Sequence, residues 1–178
     1  HALGFEQVIA GVETTGYLHV GASLTIGNYL AVNYFSEFIN AYPEIDSSFL
    51  IGNSPEIVEK VLAFDVDVGL IEYEISHPDL LLEKWRKDNL VAFCSPLHPF
   101  AKKRELTKSD IKSARWILRE ANSGTRQAFD RAMQGVLPEL DIVMELEHNE
   151  AIKRAVEANI GVGCLSEIAL ETHFKRGD

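Results

Sequence analysis

Two stretches of this chain place hydroxyl groups where a strand pattern gives way to a helix pattern. Ser23-Leu24-Thr25 follows Leu18-His19-Val20-Gly21-Ala22, and Ser123-Gly124-Thr125-Arg126 follows Arg115-Trp116-Ile117-Leu118-Arg119. The first turn of a helix carries unpaired backbone N–H groups and partial positive charge, so hydroxyls added there can hold an anion. The same hydroxyls can serve as ordinary N-caps. Two such turns suggest a cleft that closes on a small anionic ligand.

The carboxylates near these turns complicate that chemistry. Glu72 and Glu120 repel an anion unless they are protonated or paired with arginine; they can instead order Arg119 or Arg126, or accept bonds from a ligand hydroxyl or ammonium. Asn53 reads either as a site residue or as a turn residue. Glu145 and His148 are weaker candidates for the cleft, and Arg126 reads as a surface or lobe-bridging cation. Asn149 is most simply the N-cap of the helix that follows, although its amide can also face the cleft.

Covalent and metal chemistry find little to work with. The chain has no Gly-x-Ser-x-Gly elbow, no phosphate-binding Gly-x-x-x-x-Gly-Lys loop and no His-Glu-x-x-His helix. Cys94 and His98 without further ligands do not make a zinc site. No catalytic residue, metal or cofactor is expected.

The elements that must position these groups alternate. A helix pattern with Leu30, Tyr34, Phe35, Phe38 and Ile39 on one face ends at Pro43, which cannot continue it. Strand Ser48–Ile51 follows, then a helix in which Ser54 reads as N-cap and Pro55 as the first helical residue. The run 66–71 is nearly all apolar after Asp67, as expected of a buried parallel strand, and Glu72 stands at its end. A second set begins at Asn89: strand 90–94, a short helix 108–113, strand 116–119, the Ser123 turn with its helix, strand 142–146, helix 151–159, strand 160–165 and a helix through Leu170. This alternation predicts βαβ units in open sheets, with ligands beyond the carboxyl ends of the strands, where Ser23, Thr25, Asn53 and Glu72 would lie.

Composition excludes several classes. The 178 residues are 46% hydrophobic and 25% charged, enough for a real core, and the net charge of −10 argues against gripping a phosphate backbone. The basic run Lys102-Lys103-Arg104 reads as a solvated loop. No apolar run is long enough to span a membrane and no signal-peptide pattern opens the chain, so a cytoplasmic product is expected. Cys94 and Cys164 sit in apolar runs and read as reduced core thiols.

Six strings in order resemble one family: 16–23 (GYLHVGAS), Tyr42-Pro43, Gly52-Asn53-Ser54, 66–71 (VDVGLI), Ser95-Pro96-Leu97-His98-Pro99 and 156–163 (VEANIGVG). Together they resemble the effector-binding domain of LysR-type transcriptional regulators. The resemblance implies an α/β, periplasmic-binding-protein-like fold of two lobes joined by two hinge strands, with an effector between them. Residues 16–91 and 165–178 would form lobe I and residues 92–164 lobe II, with the hinge near 88–95 and 160–166. Residues 1–15 would be the tail of a linker helix, and operator DNA would be bound only by an N-terminal winged helix-turn-helix outside this sequence. The family also continues past position 178 with a further strand and helix.

Within the family, Trp116-Ile117-Leu118-Arg119-Glu120, the Ser123 turn and Glu145 through Lys153 look like the branch of cysteine-biosynthesis and sulfite-responsive regulators. That branch holds a sulfur oxyanion with hydroxyls at the first strand–helix turn, and Ser23 and Thr25 fall on those positions. Glu147-His148-Asn149 departs from the smaller Gly-Asn-Ser common in relatives, so the ligand, a sulfur oxyanion or a carboxylate, is not carried over. The resemblance further implies an antiparallel homodimer, for whose interface Tyr29, Tyr34 and Phe38 are candidates. A solute-binding protein of a transport system is the alternative on the same fold.

Overall fold

The computed structural model describes residues 16–72 and 74–176, so the expected linker-helix tail at 1–15 lies outside the described residues. The chain divides into two units, one through Lys87 and one from Asp88.

In the first unit, β1 (Gly16–Ser23), β2 (Ile45–Gly52) and β3 (Val68–Leu70) form a parallel sheet with β1 in the centre. Between β1 and β2 runs one helical stretch: α1 (Leu24–Ile26), a π turn (Gly27–Ala31) and α2 (Val32–Ala41). The sequence reads as an uninterrupted helix here. In the structure the Val32 N–H reaches back to Gly27 O, the i to i+5 bond of a π turn. A Cβ on Gly27 would come within 2.9 Å of Ile51, so this turn rides close on β2.

The helical stretch covers one sheet face through Phe35, whose ring stacks on Phe49 at 4.9 Å. Phe38, expected at an interface, is only 6% exposed and packs against Phe35 and Tyr42. Its ring therefore serves the first unit's own core. Helix α3 (Ser54–Leu62) covers the other face. Gly21 and Gly69 make room for it, since a Cβ on either would stand 3.1 or 3.0 Å from Ile57 Cγ2. The N-cap of α3 is Asn53, not Ser54: its Oδ1 accepts from the Glu56 N–H at 2.9 Å, which moves Pro55 to the second helical position. Both residues are good caps, and the longer Asn side chain one position earlier takes the role.

The second unit holds β4 (Leu90–Phe93), β5 (Arg115–Arg119), β6 (Asp141–Leu146) and β7 (Val162–Ser166) in the order β4-β7-β5-β6. Strand β4 is antiparallel to β7; the other pairs are parallel. Helices α4 (Lys108–Ser113), α5 (Gly124–Ala132), α6 (Asn149–Glu157) and α7 (Glu167–Arg176) complete it. The period of two along β5 and β7 sorts the core into two layers. Trp116, Leu118, Val162 and Cys164 pack with Phe129 of α5; Ile117 and Leu165 pack with Ile152 and Val156 of α6 and Leu170 of α7. The Trp116 indole N–H is satisfied by Ile111 O at 3.0 Å, which keeps a buried aromatic from stranding its donor. Helix α4 opens with a capping box in which Thr107 and Asp110 each bond the other's backbone.

The segments expected to lie side by side do so: Ala92 is opposite Cys164 and Phe93 opposite Gly163. Both cysteines are free and pack in one core layer, and burial pushes the Cys164 thiol up to about 12. Residues 88–91 and 165–176 group with the second unit, whereas the sequence-based division assigned them to lobe I. The pairing of β4 with β7 and the packing of Leu170 on Ile117 and Ile152 account for this grouping.

Candidate functional site

Parallel strands bring their carboxyl ends to one edge, and the polar residues of the first unit collect there. Ser23 ends β1 opposite Gly52 of β2, Asn53 and Ser54 follow β2, and Glu72 lies two residues past β3. Ser23 occupies the N-cap position of the helical stretch but makes no side-chain cap. Its hydroxyl instead donates to Glu72 Oε2 at 2.6 Å. Ser23 is 2% exposed and Thr25 3% exposed, too buried for hydroxyls whose only role is solvation. Asn53 spends its oxygen on capping α3. Ser54, read from sequence as that cap, is buried, and its Oγ lacks a hydrogen-bond partner among the described residues. An orphaned buried hydroxyl costs about 1–3 kcal/mol.

The corresponding edge of the second unit is built differently. Ser123 is a true N-cap, its Oγ accepting from the Arg126 N–H at 2.9 Å, and Thr125 is buried in the same turn. Arg119, at the end of β5, is 2% exposed and held on three sides: Nε and Nη2 donate to Glu120 at 2.8 and 2.9 Å, and Nη1 to Asn149 Oδ1 at 2.9 Å. Glu120 therefore orders Arg119, one of the roles open to it from the sequence. Asn149 is the first residue of α6 and not its cap; His148 holds the cap position, without a side-chain cap bond. The buried guanidinium draws the Asn149 amide inward, since hydrogen bonds to charge are stronger than a cap.

Arg126 is neither a surface cation nor free. It donates to Asp130 at 2.9 Å, Glu145 at 2.6 Å and the Arg119 carbonyl at 3.0 Å. Burial opposes its charge, but the two carboxylates outweigh burial and hold the guanidinium above its ordinary pKa. His148 is exposed and Glu145 is 48% exposed, so of the sequence candidates in this unit Ser123, Thr125 and Asn149 are the buried ones. Sequence reasoning missed Lys153, which is 4% exposed and pairs with Glu150 at 2.7 Å. The available signal was a lysine inside the apolar stripe Ile152, Ala155, Val156.

Electrostatically, Arg119 and Arg126 are both met by carboxylates, and Ser23 is bonded to a carboxylate. An anion at either edge would be held by hydroxyls and by the amides of the helix start, not by an open guanidinium. Among the described residues, no His, Cys, Asp or Glu cluster of three or more could hold a metal ion, and no helix is long and apolar enough to cross a membrane.

Two α/β units, each with a polar helix start at the carboxyl edge of its parallel strands, define a ligand-binding domain of the periplasmic-binding-protein-like class. The chain belongs to the LysR substrate-binding domain family, which it matches over residues 12–178. It is 36% identical over 176 residues to the helix-turn-helix-type transcriptional regulator YeiE of Escherichia coli K12, covering 99% of this chain and 59% of that protein. It is 31% identical over 157 residues to the regulator CysL of Bacillus subtilis, covering 87% of this chain and 52% of that protein. The chain thus spans little more than half the length of the curated relatives it matches. The regulatory domain of Synechocystis CcmR in complex with 2-PG superposes with a TM-score of 0.79 at 27% identity, covering 88% of this chain and 74% of that one. The effector-binding domain of QuiR in complex with shikimate shares the fold, with a TM-score of 0.79 at 21% identity, covering 89% and 77%. Its relatives are transcriptional regulators, not enzymes.

Proposed function

We propose that this domain senses a small anion at the carboxyl edge of the first unit's sheet, through the hydroxyls of Ser23, Thr25 and Ser54 and the amides of the helix start beside them; Ser123 and Thr125 form the like junction of the second unit. The observation that carries this reading is the burial of two hydroxyls, Ser23 and Thr25, at a strand–helix junction where Ser23 makes no side-chain cap. Family membership supports an effector-binding role, and the CcmR regulatory domain was captured with a small molecule. The resemblance of Ser23 and Thr25 to the sulfur-oxyanion turn supports a sulfur oxyanion as the first class of ligand to test, with a carboxylate beside it.

Effector binding acts on the rest of a cytoplasmic regulator by preferring one arrangement of the domain over another, and only that differential affinity can move a DNA-binding module. The output works through a homodimer. Its interface uses the helical stretch 24–41, where Val32 and Ile39 are 40% and 43% exposed and Tyr29 and Tyr34 are partly buried. An isologous pairing is the usual form for such a dimer.

Thermal unfolding in the presence of sulfite, sulfate, thiosulfate or acetate tests the reading. A ligand at one hundred times its Kd stabilises the native state by about 2.7 kcal/mol, a readily measured rise in Tm. At least one sulfur oxyanion should raise Tm, and Thr25→Ala should cut the stabilisation by about half or more. If no anion moves Tm, or Thr25→Ala leaves the rise intact, the proposed site is wrong.

A further inference from the structure

We propose a second ligand site in the second unit, at the strand edge opposite Arg119, for a small carboxylate with an apolar body. Strands β5 and β7 are parallel, so Arg115 and Gly161 stand at their amino ends while Arg119 closes β5 at the other edge. At the amino edge a cavity of about 300 Å3 is lined by His98, Pro99, Phe100, Arg115, Asn159 and Ile160, among others. That volume is at the small end of ligand pockets.

The lining has the two halves such a ligand needs. Pro99, Phe100 and Ile160 supply apolar wall, stiffened by the edge-on contact of the His98 and Phe100 rings at 4.7 Å. The polar part is dominated by donors. Arg115 has a guanidinium and Asn159 an amide NH2, and neither has a hydrogen-bond or ion-pair partner among the described residues. The His98 Nδ1 accepts from the Phe100 N–H at 3.2 Å, so the neutral ring carries its proton on Nε2. No carboxylate lines the cavity, and the Lys103 ammonium, 5.5 Å from the Phe100 ring centroid, is paired with Asp110 at 2.6 Å and is not a free donor. Arg119 and Arg126, by contrast, are already neutralised. An unpaired guanidinium beside apolar wall, with no competing acid, favours a carboxylate over a neutral guest.

Two-dimensional amide NMR with phenylacetate as the probe tests this directly. Saturable shifts are expected at Phe100, Arg115, Asn159 and Gly161. Arg115→Ala should weaken binding about tenfold or more, and 2-phenylethanol, which keeps the ring and loses the charge, should bind comparably weakly. Arg115 is exposed, so the variant should keep the wild-type Tm. Thr25→Ala should leave phenylacetate binding unchanged, which separates this site from the proposed effector turn. Absence of saturable shifts at roughly tens of millimolar probe, equal affinity in Arg115→Ala, or equal affinity for 2-phenylethanol would each overturn the proposal.

Discussion

The Ser23 hydroxyl donates to Glu72 at 2.6 Å across 49 residues of sequence, while Ser123, at the matching junction of the second unit, accepts from the amide of Arg126 three residues on. Two serines at alike strand–helix turns thus face opposite ways chemically. One holds a carboxylate beside its helix start; the other satisfies a helix donor.

That contrast predicts the effect of removing the Glu72 charge. Glu72→Gln keeps an acceptor for Ser23 but takes a negative charge away from the turn, so affinity for sulfite or sulfate should rise by about 1 kcal/mol, roughly fivefold, at low salt. Calorimetry at two ionic strengths checks it, and the gain should shrink as salt is added.

Thr25→Ala separates capping from binding. Loss of a hydrogen bond to a charged partner costs about 1.5–3 kcal/mol, or roughly ten- to a hundredfold in affinity, whereas a weakened helix start costs about 1 kcal/mol of stability. Affinity and unfolding measured on the same variant decide: lowered stability with normal anion affinity would make Thr25 a structural residue only.

The two acidic partners of the second unit should differ in weight. Glu120→Ala strands the buried Arg119 and should destabilise by about 3–5 kcal/mol, since that pair is 2% and 19% exposed. Glu145 is 48% exposed, and Glu145→Ala should cost less than about 1 kcal/mol because solvent screens it and Asp130 remains. Urea unfolding of both variants gives the order, and a reversed order would mean Arg119 is not held as described.

Acid should loosen α4. The hydrogen bond from Lys103, with those from the Thr107 backbone and hydroxyl, lowers the Asp110 carboxyl to about 2 from an ordinary 3.8. A carboxylate lowered on folding adds stability above its unfolded pKa and loses it as pH falls toward the folded value. The contribution should therefore be complete above about pH 5 and fade as pH falls toward 2. Asp110→Asn should flatten this part of the urea-midpoint profile while leaving the profile above pH 5 unchanged.

Phe64 is 92% exposed and sits at φ 58, a left-handed conformation that costs a bulky residue strain. Phe64→Gly removes the strain at almost no loss of burial and should stabilise by about 0.5–1 kcal/mol, read as a higher Tm. Asn159, at φ 57, is a residue type that tolerates this region, so Asn159→Gly should gain less.

What the sequence determined by itself were the features set by neighbours a few residues apart. The alternation of strand and helix, the Ser123 cap and the family strings were legible because periods of 2 and 3.6 and the N-cap spacing are local properties, whereas the side-by-side placement of 88–95 and 160–166 was an expectation of the two-lobe resemblance and not of any local pattern. Exact ends slipped where two local solutions compete, as with Asn53 and Ser54, or where a local role lost to a distant partner, as with Asn149, drawn 30 residues away to Arg119. The tertiary structure alone decided that Ser23 bonds Glu72, that Phe38 is core, and that helix 24–41 carries a π turn over Ile51. Strand order and register set those contacts, and the single chain carries no local signal of which residue a sheet will bring alongside.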